Sequence, residues 1–134
     1  MNKLTRTAQA LSDETRLRIL NILSEHECCV CEVMQALDIS QTRASRNLKI
    51  LYDAGFLDMR TDGLYTLYSL RKNNDGSFYA KFLEAVYQEL ATDRVARDDL
   101  IRLKKAKRLE PGDILQEAVP GRASPIKEGP CRCK

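Results

Sequence analysis

The sequence predicts a mainly α fold: a winged helix-turn-helix with a two-stranded β-hairpin wing, assembled as a dimer. Three observations point there. Apolar residues recur at helical spacing through consecutive segments of the first half. The period then switches to short β-rich runs around Thr61-Asp62-Gly63. Beyond Asn73-Asn74-Asp75-Gly76 a helical stripe returns, too apolar for a lone surface helix, so a partner is expected to cover part of it.

Leu4, Ala8 and Leu11 predict a short helix over 3–11. Ser12-Asp13 then offers an N-cap, and Glu14 suits the positive end of a helix dipole. Leu17, Leu20 and Leu23, with Ile19 and Ile22, supply the core stripe of the second helix. Glu25-His26-Glu27 reads as a loop. A short third helix is expected from about Cys31 to Leu37, with Val33, Met34 and Leu37 inward. Ser40 caps a fourth helix, about 41–54, which ends at Gly55 in the C′ position. The pair 31–37 and 41–54, joined by Asp38-Ile39-Ser40, is the helix-turn-helix proper.

Phe56–Arg60 and Leu64–Leu70 are the hairpin strands, with Asp-Gly as the turn signal. Tyr79, Phe82, Leu83, Val86 and Leu90 lie on one stripe of a long helix that runs on toward Arg108. From Glu110 the chain holds four Pro and three Gly in 25 residues with little periodicity. The expected organisation is one domain over 1–108 and a flexible tail over 109–134.

The net charge of +3 identifies no partner, but its distribution does. Residues 25–39 carry Glu25, Glu27, Glu32 and Asp38 and no Lys or Arg; residues 40–50 carry Arg43, Arg46 and Lys49 and no acid. In the fourth helix Ala44, Leu48 and Leu51 share a core face. Thr42, Ser45, Arg46 and Lys49 share another, and all four are polar. That stripe is short at its start and cationic at its end, which suits base edges and phosphates of double-stranded DNA. Ser40, Gln41 and Arg43 complete the candidate DNA-binding set at the N-terminal end.

Cys28, Cys29 and Cys31 form one thiol group, and Cys131 and Cys133 another. An odd count with no export signal argues against a disulfide framework and for metal ligands or redox sensors. Zinc favours four N/S ligands, which the first group and His26 nominally supply. Cys28–Cys31 also satisfies Cys-x-x-Cys, but an oxidoreductase wants that motif after a strand in a βαβ unit, and here it lies between helices. No enzyme is expected. Met1–Arg6 leads into no apolar signal core, and no apolar run approaches the roughly 20 residues of a membrane span. A cytoplasmic protein without membrane contact is the expectation.

Ala10-Leu11-Ser12-Asp13-Glu14-Thr15-Arg16-Leu17-Arg18-Ile19-Leu20 resembles the opening signature of the ArsR/SmtB family of metal-responsive repressors. The likeness continues through Glu27–Val33, Ser40–Lys49, Leu51–Phe56 and the hairpin, covering roughly residues 5–72. It implies a homodimer built on the first and last helices, two recognition helices on an inverted-repeat operator, and release of DNA on ligand binding. Cys29-Val30-Cys31 looks like the sensing motif of the arsenic, cadmium and lead members. The arsenic pattern often has a further Cys where this chain has Met34, and Cys28 is an extra neighbour. The cadmium and lead pattern draws on N-terminal cysteines, and residues 1–27 hold none. The zinc and nickel pattern uses His on the last helix, where there is none, and Thr61 and Leu64 leave the wing less basic than usual. The resemblance therefore implies As(III) or Sb(III) at Cys28, Cys29 and Cys31, with Cd, Pb or Zn and thiol redox sensing as alternatives.

Overall fold

The computed structural model describes residues 2–72 and 78–109. Their order is α1 (Asn2–Leu11), α2 (Glu14–Leu23), α3 (Val30–Leu37), α4 (Gln41–Asp53), β1 (Leu57–Asp62), β2 (Tyr65–Leu70), α5 (Phe78–Leu90) and α6 (Arg94–Lys105). The chain break expected at 73–76, the tail beyond Leu109 and its Cys131 and Cys133 lie outside the described residues.

Local chemistry sets the helix starts. Asp13 accepts from the N–H of Arg16 at 3.2 Å, and Ser40 from that of Arg43 at 3.2 Å, each satisfying an orphan donor of a first turn. The single long helix expected after residue 79 is two. Asp93 accepts from the N–H of Ala96 at 2.9 Å and starts α6 afresh, while the N–H of Asp93 closes α5 on the carbonyl of Leu90. A cap signal outweighed an apolar spacing that runs across the break.

Gly55 sits at φ +93° after α4, and a Cβ there would lie 2.8 Å from the Tyr79 hydroxyl. Only glycine suits both the backbone and the space. In the wing, β1 and β2 pair antiparallel with Asp62 opposite Tyr65, leaving Gly63-Leu64 as a two-residue loop. Gly63 has φ +62° and no positive φ is found at Leu64, the pattern of a type II′ turn. The hairpin is therefore set by Gly63 in the first loop position, and Asp62 belongs to the strand.

The core gathers Ile19, Leu20 and Ile22 of α2, Val33 and Leu37 of α3, Leu48 and Leu51 of α4, Phe56 and Leu67. Each side chain of this size stabilises the fold by about 1.5–3 kcal/mol when fully buried. α3 packs on α2 and α4, and α6 folds back over α3 and α2. Asp99 of α6 is 0% exposed. It takes a bidentate pair from Arg18, both contacts 2.8 Å, and one contact from Arg102 at 2.6 Å. The same arginines donate to the carbonyls of Leu37 and Ala36. Orphan acceptors at the end of α3 are thus satisfied by the buried charge cluster that fastens α6.

Candidate functional site

Three of the four stripe residues of α4, Thr42, Arg46 and Lys49, are exposed; Ser45 is half-buried, and its hydroxyl is shut off from solvent without a hydrogen-bond partner among the described residues. Arg46 has no ion-pair partner among the described residues; Lys49 pairs only with Asp53 one turn on, at 3.2 Å. The N-terminal end is more committed. Ser40 is used as the cap, and Arg43 donates to the Thr15 hydroxyl at 2.8 Å. Gln41 is only 3% exposed, and neither its amide oxygen nor its nitrogen has a partner among the described residues. Its side chain therefore lies off the surface shared by Thr42, Arg46 and Lys49.

Asn47, on the other side of α4, accepts from Arg16 at 3.0 Å. Arg16 also donates to the carbonyls of Ala10 and Gln9 at the end of α1. One guanidinium therefore sets α4 against the α1–α2 corner.

The thiol group divides. Residues i and i+2 inside a helix point about 200° apart, so Cys29 and Cys31 would diverge if both were helical. Cys29 instead is the N-cap of α3, extended at φ −85° and ψ 171°. Only Cys31 is helical, and the two Sγ atoms lie 3.0 Å apart, buried. The open first turn makes the pair possible without unwinding. Cys28 has a different neighbour: its Sγ lies 3.7 Å from His26 Nδ1. His26, Cys28 and Glu32 each offer a ligand atom, all within 4.8 Å of one another.

The electrostatics differ accordingly. Burial pushes the Cys28 thiol up, and Glu32 and Glu27 push further. Cys29 is raised because its S–H donates to Cys31, and burial adds to this. Cys31 is held below the ordinary thiol range because its sulfur accepts that proton, with burial opposing and the N–H of Leu109 assisting. The two thiols thus shift in opposite directions, Cys31 being the more acidic of the pair.

Two structures brace this corner. Glu32 accepts from the N–H of Cys29 at 3.0 Å and from Arg108 at 3.1 Å. Gln35 clasps residue 107 through both of its main-chain groups, donating to the Lys107 carbonyl at 2.7 Å and accepting from its N–H at 3.1 Å. Leu109, the first residue of the expected tail, packs on the core beside Tyr65. The chain leaving α6 therefore crosses the thiol end of α3.

The second brace is the wing. Cys28 and Tyr68 exchange two main-chain hydrogen bonds, making Cys28 a one-residue strand on the edge of β2. Glu27 forms an ion pair with Arg60 of β1. Arg60 holds the Glu27 carboxyl below its usual range. Apart from the Glu32–Cys29 contact, neither brace carries a local sequence signal, because the other partners are tens of residues away. That capping contact, three residues apart, and the Asp93 cap are the missed features that a short-range motif could have revealed.

A model of the arsR family of bacterial regulatory proteins matches residues 13–58. The arsenical resistance operon repressor of Escherichia coli is 48% identical over 61 residues, 45% of this chain and 52% of that protein. A homolog of the cadmium resistance regulator CadC from Staphylococcus aureus is 41% identical over 63 residues, 46% of this chain and 52% of that protein. This chain thus spans about half the length of both. An arsenic resistance transcriptional regulator of Pseudomonas putida is 39% identical over 97 residues, covering 72% of this chain and 82% of that protein. Among solved structures, a homodimeric winged helix-turn-helix DNA-binding domain from Mycobacterium bovis, described as a possible ArsR-family regulator, superposes with a TM-score of 0.56 at 28% identity. It covers 69% of this chain and 82% of that one.

Proposed function

This chain belongs to the arsR family of bacterial regulatory proteins, and from that premise we propose that it is a transcriptional repressor released from operator DNA by trivalent arsenic or antimony. It binds double-stranded DNA as a homodimer, with Thr42, Ser45, Arg46 and Lys49 of α4 toward the major groove and Ser40, Gln41 and Arg43 at the helix entrance. The dimer is built on α1 and α5, where Leu4 is exposed and Phe82, Val86 and Leu90 are only half covered within the protomer. The protein acts in the cytoplasm.

The observation that carries the ligand reading is the buried Cys29–Cys31 contact of 3.0 Å. Cys28 is the third thiolate of the proposed set and must turn its side chain from His26 to reach the pair. Three thiols and arsenous acid condense with release of three waters, forming three sulfur–arsenic bonds and no net charge. A neutral product suits a buried site beside Glu32. A divalent cadmium or lead ion on three thiolates would leave a net negative charge there, which is why those ions rank second.

The protein's own residues supply the transmission. Rotation of Cys28 pulls on a backbone already paired with Tyr68, and on Glu27, which holds Arg60. The wing and the thiol corner move as one. Coupling between two such sites is typically about 1–3 kcal/mol, or about 5–150-fold in DNA affinity. By linkage, DNA weakens arsenite binding by the same factor.

Thiol redox sensing is the second reading, favoured by the same contact. Two thiols 3.0 Å apart need close only to about 2.05 Å for a disulfide, with peroxide taking the two electrons and leaving as water. Intact mass separates the readings, since arsenic adds mass and a disulfide removes two protons. The test is operator affinity with and without arsenite, antimonite, cadmium, lead, zinc and peroxide. Cys29→Ser/Cys31→Ser is expected to bind the operator fully and to lose release by arsenite. Release of that variant at the wild-type arsenite concentration would reject the proposed sensing pair.

A further inference from the structure

Cys28 Sγ lies against His26, while Cys29 and Cys31 contact each other. We propose that His26, Cys28 and Glu32 form a separate binding site for a borderline divalent cation of the zinc(II) type. The site is independent of the arsenic reading; the two meet only at Cys28.

Geometry is the first support. With Zn–S at about 2.3 Å and Zn–N at about 2.0–2.1 Å, a tetrahedral ion sets its sulfur and nitrogen about 3.6 Å apart. Cys28 Sγ and His26 Nδ1 lie 3.7 Å apart. A carboxylate oxygen of Glu32 completes the trio within 4.8 Å of both. No helix needs to unwind, because His26 and Cys28 lie in the non-helical α2–α3 connection and only Glu32 is helical.

Chemistry is the second support. Imidazole, thiolate and carboxylate together suit zinc and its neighbours and are the wrong set for arsenic, which is satisfied by thiolates alone. The contacts of Glu32 to Cys29 and Arg108 both fall on Oε1, so Oε2 carries neither. His26 is exposed and its Nδ1 touches the Glu27 carbonyl at 2.9 Å. For ligation the ring proton shifts to Nε2, which solvent can satisfy. An exposed His above a buried Cys and a buried Glu gives the ion a route in, with a fourth position left for water.

The consequence is competition. A cation here holds Cys28 away from Cys29 and Cys31 and withdraws the third proposed thiolate from the arsenic site. Zinc occupancy and arsenite binding are therefore expected to oppose each other.

Cobalt(II) is the probe, added to the reduced full chain carrying Cys131→Ser and Cys133→Ser. One equivalent per protomer should bind with a single-thiolate charge-transfer band, and zinc(II) should displace it. In that background, adding Cys29→Ser/Cys31→Ser should leave the band intact, which also separates this site from the arsenic reading. His26→Ala, an exposed position that folding does not need, should weaken cobalt binding by about tenfold or more. Absence of the band, unchanged affinity in His26→Ala, or loss of the band in a Cys29→Ser/Cys31→Ser variant with native circular dichroism would each overturn the site.

Discussion

Cys28 and Tyr68 hold each other by two main-chain hydrogen bonds, 3.0 Å from the Cys28 N–H and 2.8 Å from the Tyr68 N–H. The residue that opens the thiol group is thereby part of the wing. Glu27 repeats the connection one residue earlier through Arg60 of β1. The thiol end of α3 and the wing are thus joined by two neighbouring contacts, one through main chain and one through an ion pair.

Glu27→Gln removes the ion pair without touching a proposed ligand or α4. We expect arsenite to bind with unchanged stoichiometry while the ratio of operator affinities without and with arsenite falls several-fold. Fluorescence anisotropy of labelled operator, measured in both conditions, reads that ratio directly. An unchanged ratio would place transmission in α3 and α4 alone.

Arg46 and Lys49 are the exposed cations of the α4 polar stripe. Replacing either by Ala is expected to weaken binding to every DNA sequence and to lower the slope of log affinity against log salt by about one. Ser45 and Thr42, uncharged on the same face, should instead change base preference when substituted. Arg43→Ala should affect the fold as well, because it donates to Thr15. Salt titrations on specific and random duplexes distinguish these cases.

Asp99 is buried beneath two guanidinium groups. Asp99→Ala leaves Arg18 without its bidentate partner and the end of α3 with a weaker clamp. A loss of about 3–5 kcal/mol is expected, as for other broken buried pairs. Urea denaturation of the variant checks this. A change below about 1 kcal/mol would mean that α6 is held by its apolar contacts.

The buried Cys28 thiol, raised chiefly by burial, stays protonated in the folded chain when the unfolded chain ionises. Unfolding then releases a proton, so stability falls as pH rises. The contribution is fully present below the unfolded thiol value of about 8.5 and lost progressively above it. Well above that value the slope from one such group approaches about 1.4 kcal/mol per pH unit. Cys28→Ala is expected to flatten the alkaline arm of the stability curve by that amount. Denaturant melts at several alkaline pH values would reveal no difference if Cys28 were solvated.

The helices of the first half, the wing, the polar stripe of α4 and the cysteine positions were legible in the sequence. These are short-range properties: a 3.6-residue period, a capping oxygen, a glycine with positive φ, a run of thiols. The helix boundary at Cys29 lay within one or two residues of the expected one, yet that small difference decides whether two sulfurs meet. Only the tertiary structure settled the rest. Arg18 and Asp99 are 81 residues apart, and nothing near either one names the other. Cys28 joins the wing through Tyr68 of β2, and Arg108 reaches Glu32 because α6 folds back over α3. Gln41 reads as a surface residue by type and is buried by the way α4 sits in the fold. Orientation of a polar side chain follows from packing between distant elements, and that is where local pattern ends.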